Sequence, residues 1–295
     1  AWLADPRARA LKPTQELYTA RYYLALTKWK QGLMAAKWDE KEKDKPAKFL
    51  GLTPQAETFL RAAEKDFRKV AEVENDYSDK ATDRRTEVIR LLIGDGDKDP
   101  AKITDFDYGM MAAQVQLYNL VRGVKPDGTS DEEGADKQKK AAVKVAALFE
   151  RIRDLPVPKD SAKEAQDAQV MLVYVYLRAG RTYQAAVLGD HLSQTLRNAG
   201  AAARAGLYAM QAYQGAAAAL PGDDKEARRS EQDRAFKVAA YLDRAFPADP
   251  NTDFARLSAG NLLLRDGRPR EAFQMLGKVS PASPNLVTAR LLEGA

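Results

Sequence analysis

The residues whose type and spacing come nearest to a chemical site are the aspartates between positions 95 and 107. Asp95, Asp97 and Asp99 alternate as the first three oxygen ligands of a calcium loop do, and Asp105 and Asp107 follow closely. The match then fails, because Pro100 stands where the sharp-turn glycine belongs and Phe106 stands where a bidentate glutamate would complete the coordination shell. An EF-hand is excluded, and GDGDKDP over residues 94 to 100 reads as a helix-breaking turn followed by an N-cap. His191 is the only histidine, so no two-histidine metal site or histidine pair can be built, and it reads as a packed or half-exposed helical residue. Cysteine is absent, which removes disulfides, thiolate zinc sites and a cysteine nucleophile. No phosphate-cradling G-x-x-x-x-G-K-S/T loop, dinucleotide G-x-G-x-x-G after a strand, or G-x-S-x-G nucleophile elbow is present. A glycosidase-like carboxylate pair is the one catalytic arrangement that spacing leaves open. The expectation is a non-enzyme with no catalytic residue, no cofactor and no metal.

Composition points to what these residues are mounted on. Ala, Leu, Arg, Lys, Glu and Gln dominate, and runs of alternating β-branched residues are nearly lacking, so the chain should be all-α with no sheet. Its 47 basic and 42 acidic residues are interspersed, and the net charge of +5 implies no broad field. No run of about 18 apolar residues is available to span a bilayer. The chain starts Ala1-Trp2-Leu3 without methionine and stops at Leu291-Leu292-Glu293-Gly294-Ala295 just after an apolar helix begins. Both ends read as cut, and the compartment stays open: a soluble chain, either cytoplasmic or exported after loss of an upstream signal.

The helices announce themselves by caps and stripes. The first runs from the Thr14 cap to about Lys41 with Tyr18, Tyr22, Ala25, Trp29, Leu33 and Ala36 on one face, and the charged segment 38 to 48 follows as a solvated connection. Thr53-Pro54 starts the second, with Phe59, Ala62, Ala63, Phe67, Val70 and Val73 inward. Ser78 opens the next, and a helix over about Thr104 to Val121 places Met110 and Met111 in a core. Residues 123 to 137, with three glycines, a proline and a cluster of acids, form the best candidate for a mobile loop and hinge. A helix over about Ala135 to Asp154 packs through Val143, Ala146, Ala147, Phe149 and Ile152. Ser161 then caps a helix that is apolar on two sides and ends at Gly180, where a left-handed residue fits, before Ala185, Leu188, Leu192 and Leu196 carry the period onward. An alanine-rich helix over Ala201 to Ala219, its partner over Asp224 to Phe246, and a last hairpin turning at Gly267 complete the chain.

This pattern resembles the tetratricopeptide repeat family, mainly over residues 161 to 295. Gly260, Gly267, Ala272 and Pro284 match its small residue, turn glycine, second-helix alanine and closing proline. Leu172, Tyr176, Gly180 and Ala185 match an earlier hairpin, whereas Gln169, Gly189 and Arg197 depart from it. The two turn glycines are 87 residues apart (267 − 180), which is no multiple of the family's period of about 34. Hairpin starts near Ser161, Ala201 and Thr252 are spaced by 40 and 51, so the repeats are irregular. The resemblance implies a right-handed α-solenoid of antiparallel hairpins, about 10 to 13 helices in all. Residues 1 to 123 should be helical hairpins, either degenerate repeats or a bundle, and residues 124 to 160 a loop and connecting helix. Residues 161 to 295 should be the repeats, cut within a repeat at the C-terminus.

Such a fold implies a non-catalytic scaffold that offers a concave helical surface to a protein or peptide partner. By analogy with the family, Tyr174 and Arg178 in one repeat and Asn261 and Arg265 in another occupy groove positions. The competing reading, a nucleic-acid-binding helical array, rests on Lys137, Lys139, Lys140 and Lys144 and on Arg228, Arg229 and Arg234. It is weakened by the acids that flank both clusters and by the lack of interleaved aromatics. Oligomeric state is open. Far-ultraviolet circular dichroism should be dominated by helix, and small-angle scattering should come from an elongated particle; a strand-rich spectrum or a compact sphere would overturn the reading.

Overall fold

The computed structural model describes residues 14–36, 52–93, 99–122, 132–159 and 161–294. Among them the chain forms twelve α-helices, one short 3-10 turn and no strand, so the all-α expectation holds. Asp95, Asp97, the charged segment 38 to 48 and residues 123 to 131 of the expected loop lie outside the described residues. The chain divides into two compact units: residues up to Asp99 with Met111–Asn119, and Pro100–Met110 with Leu120 onward.

In the first unit, α1 (Gln15–Ala35) begins where the Thr14 side chain accepts from the Leu17 amide, and it ends short of Lys41, because Ala36 turns to extended backbone at ψ 143°. Thr53 both caps the Ala56 amide and donates its hydroxyl to the Ala35 carbonyl at 3.0 Å, so the start of α2 (Pro54–Ala71) is tied to the end of α1. The inward stripe of α2 is Ala56, Leu60, Ala63, Phe67 and Val70, at alternating steps of four and three. Leu60 therefore takes the place expected of Phe59, and Val73 is 43% exposed. Gly32 makes this choice possible, since a Cβ there would meet the Leu60 Cγ at 2.7 Å. α3 (Ser78–Ile93) completes the core with Ala81 and Val88, and Phe67, wholly buried, contributes roughly 2 to 3 kcal/mol. The ion pairs Lys28–Asp66 and Arg85–Glu64 fasten α1 to α2 and α2 to α3. Ile89 packs with Met111 and Val115 of α4 (Phe106–Arg122), and Met110 and Met111 are both buried, as core residues should be.

The second unit holds α5 (Glu132–Arg153), α6 (Ala162–Arg178), α7 (Thr182–Thr195), α8 (Ala199–Ala219), α9 (Lys225–Ala245), α10 (Pro250–Arg265), α11 (Pro269–Leu276) and α12 (Leu286–Glu293). On α5 the packed residues are Ala142, Val145, Ala146, Phe149 and Ile152, whereas Val143, expected inward, is 48% exposed: it falls one step off the stripe that Ala142 and Val145 define. Ser161 precedes α6 as expected, but its side chain accepts no capping bond. α6 is buried on two sides through Ala168, Val170, Leu172, Val173, Val175 and Tyr176. Among the described residues Gly180 and Gly267 are the two with positive φ, 75° and 72°, and each ends a helix in a Schellman turn. Around Gly180 the Arg181 amide donates to the Tyr176 carbonyl and the Gly180 amide to the Leu177 carbonyl.

α8 is the most enclosed helix. It packs against α6, α7, α9 and α10, and its buried residues are mostly alanines, with Gly206, Leu207, Met210 and Tyr213. Gly206 lies against Leu242 while Tyr213 faces Arg234, so α8 and α9 run antiparallel. Gln214 lies against Ser258, and Ala217 and Ala218 lie near Asn261 and Arg265, so α8 and α10 run parallel. The approach of α7 is set by Gly189, whose missing Cβ would sit 2.7 Å from the Ala205 carbonyl oxygen. Backbone cannot yield as a side chain can. Gly189→Ala should therefore lower the unfolding free energy by about 2 kcal/mol in urea denaturation. Gly222→Ala, with open space around it, should stay within about 0.5 kcal/mol of wild type.

Candidate functional site

Where α8 and α10 run side by side, their polar residues fall into register. On the alanine-rich α8 the half-buried Gln214 interrupts the apolar surface, and on α10 Ser258, Asn261 and Arg265 recur at helical spacing on one face. α9 brings Arg228 and Gln232 to the same place, and together these residues, with Ala217, Ala218, Leu262 and Asp266, line an open cleft of about 420 Å³. Gln214 and Ser258 satisfy each other, the amide donating to the hydroxyl at 3.0 Å and the hydroxyl to the amide oxygen at 3.1 Å. Arg228 is held by its Nη2, which donates to the carbonyls of Leu220 and Pro221 at 2.9 and 3.1 Å, while its Nε is buried without a partner.

The four groove candidates do not converge. Asn261 and Arg265 share the cleft. Tyr174 is half-buried, its ring 5.5 Å from that of Tyr208 on α8, and Arg178 is exposed and donates to Gln138 of α5 at 3.1 Å. Neither lines the cleft. Gln214, Arg228, Gln232, Ser258 and Asp266 are lining residues that sequence reasoning missed; the polar interruptions of α8 and α10 were the available signal for Gln214 and Ser258. His191 is exposed on α7. Among the described residues no three acidic or histidine side chains gather as metal ligands, and no helix is long and apolar enough to cross a membrane. Of the basic cluster Arg228, Arg229 and Arg234, the first binds backbone carbonyls and the third pairs with Glu231 at 3.2 Å.

Charge networks hold the walls of the cleft. Arg256 of α10, its side chain only 6% exposed, pairs with Asp243 of α9 at 2.7 Å and with Asp253 at 2.8 Å. Lys278 takes the second Asp243 oxygen at 2.6 Å, and the Ser280 amide donates to Asp253 at 3.1 Å. Burial alone would push the Asp243 carboxyl up, but the hydrogen bonds and charges of Lys278 and Arg256 outweigh it and hold the group below the usual carboxylate range. At the Gly180 turn, Tyr176 donates to Glu150 at 2.7 Å and Arg181 pairs with the same oxygen at 2.6 Å. Burial first, and then the bond to Glu150, push Tyr176 up to about 12.

No family model, curated protein or solved structure matches the chain.

A carboxyl whose pKa is depressed on folding contributes stability above its unfolded value, 3.8 for aspartate, and loses it as pH falls through the lowered folded value. Asp243→Asn should accordingly cost about 3 kcal/mol near neutral pH, because it strips one partner from a buried guanidinium. The gap between wild type and variant should narrow as acid protonates Asp243, which urea denaturation at neutral and acidic pH measures.

Proposed function

We propose that residues 161 to 295 form an irregular, right-handed tetratricopeptide-like solenoid that serves as a non-catalytic interaction scaffold for a protein or peptide. The observation that carries this reading is the open cleft on the parallel pair α8 and α10. It is concave and lined by polar side chains together with Ala217, Ala218 and Leu262. Two hairpins turning at left-handed glycines, with α8 of the hairpin between them packed on both, support the stacking that a solenoid requires. The protein reading is preferred over nucleic acid because two arginines of the basic cluster on α9 are engaged within the fold.

The test is capture of a partner from the native cell, with the partner identified by mass spectrometry and the complex rebuilt from purified components. The double variant Arg178→Glu with Arg265→Glu should weaken that complex by at least about tenfold, with the melting temperature within a few degrees of wild type because both side chains are exposed. Undiminished binding by the double variant overturns the assignment of the groove.

A further inference from the structure

The polar groups that line the cleft are unequally satisfied. Gln214 and Ser258 close on each other, and Asp266, the one acid on the lining, faces Arg268 at 3.9 Å. What remains open is the guanidinium of Arg265 and the side-chain amides of Asn261 and Gln232. The Arg228 Nε is buried and unpaired, and among the described residues the side chains of Asn261 and Arg265 make no hydrogen bond or ion pair. The formal charge of the lining is two arginines against one aspartate, 2 − 1 = +1, and that aspartate is shared with Arg268. A cation has no unshared acid to bind here, whereas an acceptor-rich anion meets a guanidinium fork and an amide. Beside them Ala217, Ala218 and Leu262 give apolar surface that a short aliphatic stem can cover. At about 420 Å³ the cleft suits a side chain or a small molecule rather than a folded domain.

We propose that this cleft binds a carboxylate carried on a short aliphatic stem, held by Arg265 and Asn261. It takes the scaffold reading for the carboxylate's source, an acidic side chain of an extended peptide, and a free dicarboxylic acid offers the same chemistry. The guanidinium of Arg265 supplies the charge-assisted bonds, and the Asn261 amide supplies a neutral donor beside it.

The experiment titrates the full chain with a fluorescent glutamate-rich peptide, with the same peptide carrying glutamine at each glutamate, and with glutarate as competitor. The glutamate peptide should bind, its glutamine counterpart should bind at least about tenfold more weakly, and Arg265→Gln or Asn261→Ala should each reduce binding by about tenfold. Lys69→Gln, exposed on α2 of the first unit, should leave it unchanged. Glutarate that competes, or binds alone with the same dependence on Arg265, supports the carboxylate site; binding of glutarate without the peptide assigns the site to a small molecule. Equal binding of the two peptides, no change on Arg265→Gln, or no binding of either peptide or glutarate at millimolar concentration overturns the proposal. Partner capture that survives while every carboxylate probe fails removes the cleft and leaves the scaffold. Glutarate binding lost in Arg265→Gln, with no partner ever captured, removes the scaffold and leaves the cleft.

Discussion

The second unit depends on how closely α8 can be approached. A helix with neighbours on four flanks has room only for small side chains, and α8 supplies alanine at most of its contacts. Alanine brings no rotamer entropy to lose, so its burial is opposed only by the ordering of the backbone. The closest approaches fall at glycines: Gly189 of α7 on the Ala205 carbonyl, and Gly206 of α8 under Leu242 of α9. The cleft opens where this dense packing gives way, as the surface of α8 passes from buried Ala212 to half-buried Gln214 and exposed Ala218.

Charge performs the complementary task. Arg256 and Asp253 are buried and Asp243 is largely so, and each would be costly alone; joined, with Lys278 at the edge, they fix α9, α10 and the turn after α11 in one register. Arg265, nine residues and so about two and a half turns along the same helix from Arg256, is exposed and unpaired among the described residues. Two arginines on one helix thus have opposite surroundings, one neutralised within the fold and one presented to solvent.

Local features were legible in the sequence. Thr14, Thr53 with Pro54, and Gly180 and Gly267 mark helix boundaries through chemistry confined to a few neighbouring residues. The exchange of Phe59 for Leu60 was not, because the choice between adjacent apolar residues depends on the facing helix, here on Gly32. The same holds for Val143, exposed between the packed Ala142 and Val145. Of the site, Asn261 and Arg265 follow from one repeat pattern, but the cleft around them needs residues of three helices. The uneven spacing of the hairpins hides that register, and the Asp243–Arg256–Lys278 network is hidden for the same reason.

The turns at Gly180 and Gly267 bear on how the chain reaches this arrangement. Each is closed by bonds spanning at most six residues, Arg181 to Tyr176 and Arg268 to Leu263, and the helices they join pack on each other. Loop closure over so short a span loses little entropy, and contacts between sequence neighbours form fast. During synthesis such a hairpin can zip up once its second helix has left the ribosome, so assembly of this region proceeds vectorially, with each hairpin a template for the one translated after it.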